Sequence, residues 1–209
     1  MPKRRIERAA QARERRREEL LAAATRIFAK KGYRAASVSD VIKAAGVARG
    51  TFYLYFRSKQ DILFAVIDHL REQQKTFINQ LSQQEAQQTD ADPRELARRG
   101  FVSWLRFYDQ RRDALRILLR EANLIDAALE HKRAEVRGGV VGYLSKRIRR
   151  LQGEGVYQEK LSPEVVSHFL IGMVDEIALS YLQKGKKADL EWLADQCASF
   201  ELDGLLRRR

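Results

Sequence analysis

Apolar positions recur along this 209-residue chain at intervals of three and four, the spacing of helices that bury one face. Leu20, Ala24, Ile27 and Phe28 mark the inner face of a first helix that starts at about Ala12 or Glu14 and runs to Lys31, with Gly32 as a left-handed stop. Ser37 and Asp40 have the spacing of a capping box, so a second helix follows, with Val38, Val41, Ile42 and Ala45 inward and Gly46 at its end. A third, shorter helix covers about Ala48 to Tyr55. Ser58 and Asp61 repeat the capping spacing and open a long fourth helix striped by Ile62, Leu63, Val66, Leu70, Phe77 and Leu81. The Gln-rich tract 82–92 has no apolar period and reads as a surface loop or frayed end. Further helices are expected over 93–109, 112–121, 124–151, 163–184 and 188–206. Gly138, Gly139 and Gly142 interrupt the propensity of the third of these. Val136, Val140, Tyr143, Leu144 and Ile148 keep its period, so it reads as one helix with a close-packing or hinge site. With only three prolines and no alternating stretch of useful length, the fold class is all-α, with about nine helices.

Composition changes this picture mainly through charge. Of the formal +12, residues 1–59 hold +11 and residues 60–209 only +1. A basic surface confined to one quarter of a chain suits a polyanion, because binding phosphates releases their condensed counterions. For residues 1–17, which carry eight basic and two acidic side chains, a solvated tail explains the charge as well as a DNA-facing arm does. One cysteine and three scattered histidines leave no metal site to expect, and no cofactor is implied. Neither a nucleophile paired with a base nor a phosphate-binding glycine loop is present, so the chain is not read as an enzyme. The longest strongly apolar run, 169–174, is far too short for a membrane span, and no apolar segment follows the basic N-terminus. A cytoplasmic protein with no membrane partner is expected.

Two short helices joined by a tight turn at Gly46 and Val47, braced by a longer one, make a helix-turn-helix. Its second short helix would enter the major groove of double-stranded DNA. Phe52 and Phe56, four apart, can anchor that helix, leaving Arg49, Thr51, Tyr53 and Tyr55 outward. Arg49 can donate twice to a guanine edge or hold a phosphate, Thr51 can meet a thymine methyl or a phosphate, and Gly50 lets the backbone come close. Lys59 sits at a helix start, where an ammonium can add to the free N–H groups that attract phosphate; Ser37 could do likewise or serve only as a cap.

The segment GVARGTFYLYFRSKQDIL, residues 46–63, with the preceding ASVSDVIKAA and the lead-in IFAKKGYRAASV, resembles the DNA-binding domain of TetR-family transcriptional regulators over about residues 14–67. The resemblance implies a homodimer on a near-palindromic operator and a C-terminal pocket whose small-molecule effector alters DNA affinity. It also places Tyr53, Tyr55 and Lys59 at positions that commonly contact DNA. The expected organisation is a basic arm over 1–13, a three-helix DNA-binding domain over 14–60 and a helical ligand-binding and dimerisation domain over 61–209. The function implied is a ligand-responsive, sequence-specific regulator, with repression as the family's commoner sign. A sequence-independent, nucleoid-type DNA coater is the alternative, and a positioned recognition helix argues against it.

In the C-terminal body, Phe169, Met173, Ile177 and Tyr181 on one helix and Leu193, Cys197 and Phe200 on the next line faces expected to form a four-helix dimer interface. Trp104, Phe107 and Tyr108, with Arg120 and Asn123 near the following helix's end, are the candidate pocket residues: an aromatic wall with a few polar groups.

Overall fold

The computed structural model describes residues 2–87, 92–120, 127–181 and 189–205. Nine helices lie among them: α1 (Pro2–Lys31), α2 (Val38–Ala45), α3 (Arg49–Tyr55), α4 (Lys59–Ala86), α5 (Pro93–Gln110), α6 (Arg112–Arg120), α7 (Ala127–Gly153), α8 (Pro163–Ser180) and α9 (Leu190–Leu205). The all-α architecture is as expected. Two boundaries move outward. α1 starts at Pro2, so the expected basic arm is helical and continuous with the first helix. Residues 2–13 carry Arg, Ala, Glu and Gln, which propagate a helix already nucleated by the packed half that follows. α4 likewise continues through Ser82, Gln83, Gln84 and Glu85 to Ala86. α7 is unbroken across its three glycines, and no close packing surrounds them: a Cβ on Gly138 or Gly142 would meet nothing within 4 Å, and one on Gly139 only Gln74 at 3.8 Å.

The chain divides into two compact units. The first comprises Met1–Leu70 with Asp113–Lys132. Its core joins Leu20, Ala24 and Phe28 of α1 to Val41, Phe52 and Phe56, with Ile62, Leu63 and Val66 of α4 completing it. Lys132 pairs with Asp68 at 2.6 Å and lies over the Phe64 ring.

The second unit comprises Arg71–Arg112 with Arg133–Arg209. α5 starts at Pro93 behind Asp92, whose side chain accepts from the Arg94 N–H, and α8 starts at Pro163 behind the equivalent cap Ser162. Both use proline where its missing N–H costs nothing. α5 buries Ala97, Phe101, Trp104, Leu105 and Tyr108, packing chiefly on α9 and also on α8. Outside that seam Glu191 takes Arg98 and Arg106, each at 2.7 Å. Among the described residues no helix is long and apolar enough to cross a membrane.

Candidate functional site

The reading head grows from local signals. Ser37 accepts from the Asp40 N–H at 3.1 Å while the Asp40 carboxylate accepts from the Ser37 N–H at 2.9 Å, so the capping box forms in full and Ser37 is a structural cap. Lys31 donates to the same carboxylate at 2.5 Å. These bonds, that from Lys31 first, hold the Asp40 carboxyl down to about 2. Gly46 ends α2 at φ 64°, a left-handed conformation that excludes most side chains, and so sets the turn into α3.

α3 is pinned by Phe52 and Phe56, which are buried with rings 5.9 Å apart. Its other face carries Arg49, Gly50 and Tyr53 in solvent, with Thr51 and Tyr55 half-buried beside them. The Arg49 guanidinium rests over the Tyr53 ring at 5.9 Å, so the two form one exposed surface. Sequence reasoning missed Leu54, which is 75% exposed at the centre of this face. An apolar side chain held in water on a helix of groove-entering type suits a thymine methyl. The four-residue spacing of the anchoring phenylalanines was the available signal, since at 100° per residue it leaves 54 on the arc opposite them.

Lys59 departs from expectation. Its ammonium donates to the carbonyls of Ala36 (2.8 Å), Tyr33 (2.9 Å) and Arg34 (3.3 Å) and lies 4.5 Å over the Tyr33 ring. All three protons are turned onto the link between α1 and α2. In this structure Lys59 is a clamp on that link, not a cation held out for a phosphate. Spacing alone could not show this, because the carbonyls lie more than twenty residues upstream.

The second unit holds an apolar cavity of about 40 Å³, well below the roughly 300–1,000 Å³ usual for small-molecule sites, so a ligand would have to widen it. Trp104 and Tyr108 line it, with Phe101, Leu144, Leu170 and Ile171 extending the apolar wall. Phe107 does not: it stacks on Phe77 at 4.8 Å with Arg111 over its other side, 4.2 Å away, and is core. The side chain of Arg120, and Asn123 altogether, lie outside the described residues. Sequence reasoning missed the polar end. There Arg147 lies between Glu85 (3.4 Å) and Glu201 (3.1 Å), and Tyr143 and Tyr157 donate to those carboxylates at 2.9 and 2.7 Å. Burial and the neighbouring carboxylates both raise the two phenols' pKa; for Arg147 burial works the other way, but Glu201 and Glu85 outweigh it and keep the guanidinium charged.

The expected dimer faces split. Phe169 (68%) and Phe200 (72%) are exposed with Tyr181, and Met173 and Ile177 are half-buried beside them, joined by the exposed Val165 and Trp192. Leu193 and Cys197, 3% and 1% exposed, instead face their own subunit's core, because α9 uses that stripe against α5 and α8. Burial pushes the Cys197 thiol up to about 11, which suits a small core hydrophobe.

Fold and site together define an all-helical DNA-binding regulator with an apolar cavity in its second unit. Residues 20–66 match the family described as "Bacterial regulatory proteins, tetR family". The fatty acid metabolism regulator protein of Bacillus subtilis (strain 168) is 26% identical over 188 residues, 90% of this chain and 94% of that one. The fatty acid degradation regulator FadR from Bacillus halodurans superposes with a TM-score of 0.78 at 26% identity, covering 93% and 97% of the two chains. FadR from Bacillus subtilis, solved in complex with stearoyl-CoA, shares the fold with a TM-score of 0.74 at 24% identity over 90% and 98%. By these likenesses the chain is a DNA-binding transcriptional regulator that matches the TetR-family model over residues 20–66 and is similar to regulators of that family along its length.

Proposed function

We propose that the chain is a repressor that holds a near-palindromic operator as a homodimer and leaves it when an apolar small molecule occupies the cavity of the second unit. The observation that carries this is the division of α3 into a buried aromatic anchor, Phe52 with Phe56, and an outer face of exposed Arg49, Gly50, Tyr53 and Leu54 with Thr51 and Tyr55 half-buried beside them. A helix that must only coat DNA has no use for so specific a face. Phosphate contacts add affinity without adding specificity, and the arginine-rich first turns of α1, over residues 2–13, are suited to supply them. The exposed apolar stripe of Phe169, Tyr181 and Phe200, with Met173 and Ile177, is the surface a second copy would cover, in a cytoplasmic homodimer.

The effector would act through its differential affinity for the DNA-competent and DNA-incompetent states. Moving such an equilibrium from 1:99 to 99:1 takes about 5.5 kcal/mol of that difference, so tightness alone releases nothing. The relatives' names and the stearoyl-CoA complex bring long-chain acyl compounds here as a first series to try. The test is selection of bound sequences from random DNA, repeated with candidate effectors. A two-fold related motif with half-sites about 10 base pairs apart, or a multiple of that, is expected. Enrichment of no such motif overturns the operator reading.

A further inference from the structure

The apolar wall of the cavity accounts for a ligand's body; its polar end restricts what that body can carry. Four groups meet there: the Glu85 and Glu201 carboxylates, the Arg147 guanidinium and the Tyr143 hydroxyl, with Tyr157 behind. The donors are already committed. Tyr143 and Arg147 converge on Oε1 of Glu85, and Tyr157 and Arg147 on Oε1 of Glu201. Among the described residues no donor reaches Oε2 of either carboxylate, although the Glu201 side chain is only 2% exposed and lines the cavity. Two carboxylates face one buried guanidinium, and the half-exposed Arg150 beside them is paired with Glu154 at 3.5 Å, so this end keeps one negative charge in excess. The buried Asp175 of the same unit is not part of that excess, being held by Tyr108 at 2.7 Å and Arg137 at 2.9 Å. A buried end that offers acceptors and excess negative charge repels an anionic head and leaves a neutral acceptor unpaired.

Resting on the reading of this cavity as the effector site, we infer that it takes an amphiphile whose buried end is a cation bearing hydrogen-bond donors, an alkylammonium or amidinium, seated against the Oε2 atoms that Arg147 leaves free on Glu85 and Glu201. A free fatty acid entering head first is excluded by the same charge. An acyl chain could enter only tail first, with its acidic group outside.

Three ten-carbon probes that differ only at the head test this: decylamine, 1-decanol and decanoate, below micelle-forming concentrations at pH 7. Trp104 is the reporter, in the full-length chain with Trp192→Phe, which removes the chain's other tryptophan. The amine should bind about tenfold or more tighter than decanoate, with the alcohol between them. This order opposes the protein's overall +12, which on its own would gather the anion. Glu201→Gln and Glu85→Gln should each weaken the amine and leave the alcohol little changed. Decanoate binding as well as the amine, or the alcohol as well as the amine, overturns the inference and leaves the cavity as an effector site. No change in Trp104 emission with any probe removes the cavity reading and the inference together. The comparison of heads uses the unsubstituted site, so it stands even where a glutamine variant fails to fold.

Discussion

Lys59→Met separates the two roles open to this lysine, because it keeps the apolar stem and removes the ammonium. The structure gives that ammonium three carbonyl acceptors at 2.8, 2.9 and 3.3 Å and a ring at 4.5 Å. A hydrogen bond to a charged group is worth about 1.5–3 kcal/mol where water is excluded. This side chain is half-buried, and water can replace it on the carbonyls, so each bond counts well below that range. Two short bonds at the reduced value and a cation–ring contact of about 0.5–1 kcal/mol give a loss of about 2 kcal/mol. For a chain of this size that lowers the melting temperature by about 4–8 °C. Operator affinity should also fall, since the clamped link positions the start of α2. The clamp leaves no mark on the salt dependence, however, because no phosphate contact is lost. The assay is therefore thermal unfolding paired with operator titration at several salt concentrations. An unchanged melting temperature, together with a log–log salt slope smaller by about 0.9, would show a phosphate ligand and refute the clamp.

The remaining expectations test other parts of the molecule. Asp40→Asn should lower the melting temperature at neutral pH. Because the folded carboxyl is held down at about 2 against an ordinary 3.8, wild type should lose this advantage as pH falls from about 4 to 2, and the two melting curves should converge there. Arg49→Ala and Leu54→Ala should each cost about 1–3 kcal/mol of discrimination at one base pair of the half-site, measured by competition with single-base operator variants; equal losses at every position would place both side chains on the backbone. Phe169→Glu with Phe200→Glu should yield folded monomers by sedimentation that no longer bind the operator, whereas Leu193→Glu should unfold the subunit, since that position is core. Gly138→Ala with Gly142→Ala should raise stability by about 0.5–1 kcal/mol each in denaturant titrations, as both lie within α7 with open space for a Cβ. A decrease would reveal a close approach made only in the assembled protein.

Features with local causes were legible in the sequence. The Ser37–Asp40 box, the Gly46 turn and the Phe52–Phe56 anchor each need only residues within a few positions of one another, so spacing determined the helix-turn-helix and which aromatics it buries. The same holds for the proline starts of α5 and α8. Where a side chain's partner lies far along the chain, periodicity named a face but not what covers it. It could not say that Lys59 would find three carbonyls before α2, that Phe107 would stack on Phe77 while Trp104 and Tyr108 lined the cavity, or that Cys197 would turn inward while Phe200 stayed out. Nor could it bring together Glu85, Arg147 and Glu201, which come from three helices and lie more than fifty residues from one another. A helical stripe carries the same apolar period whether it meets its own subunit, a ligand or a second copy. The sequence by itself determined the helices and the reading head, whose bonds are local; only tertiary packing decided which charges share one buried end of the cavity, because that juxtaposition is a property of helices brought together and of no single segment.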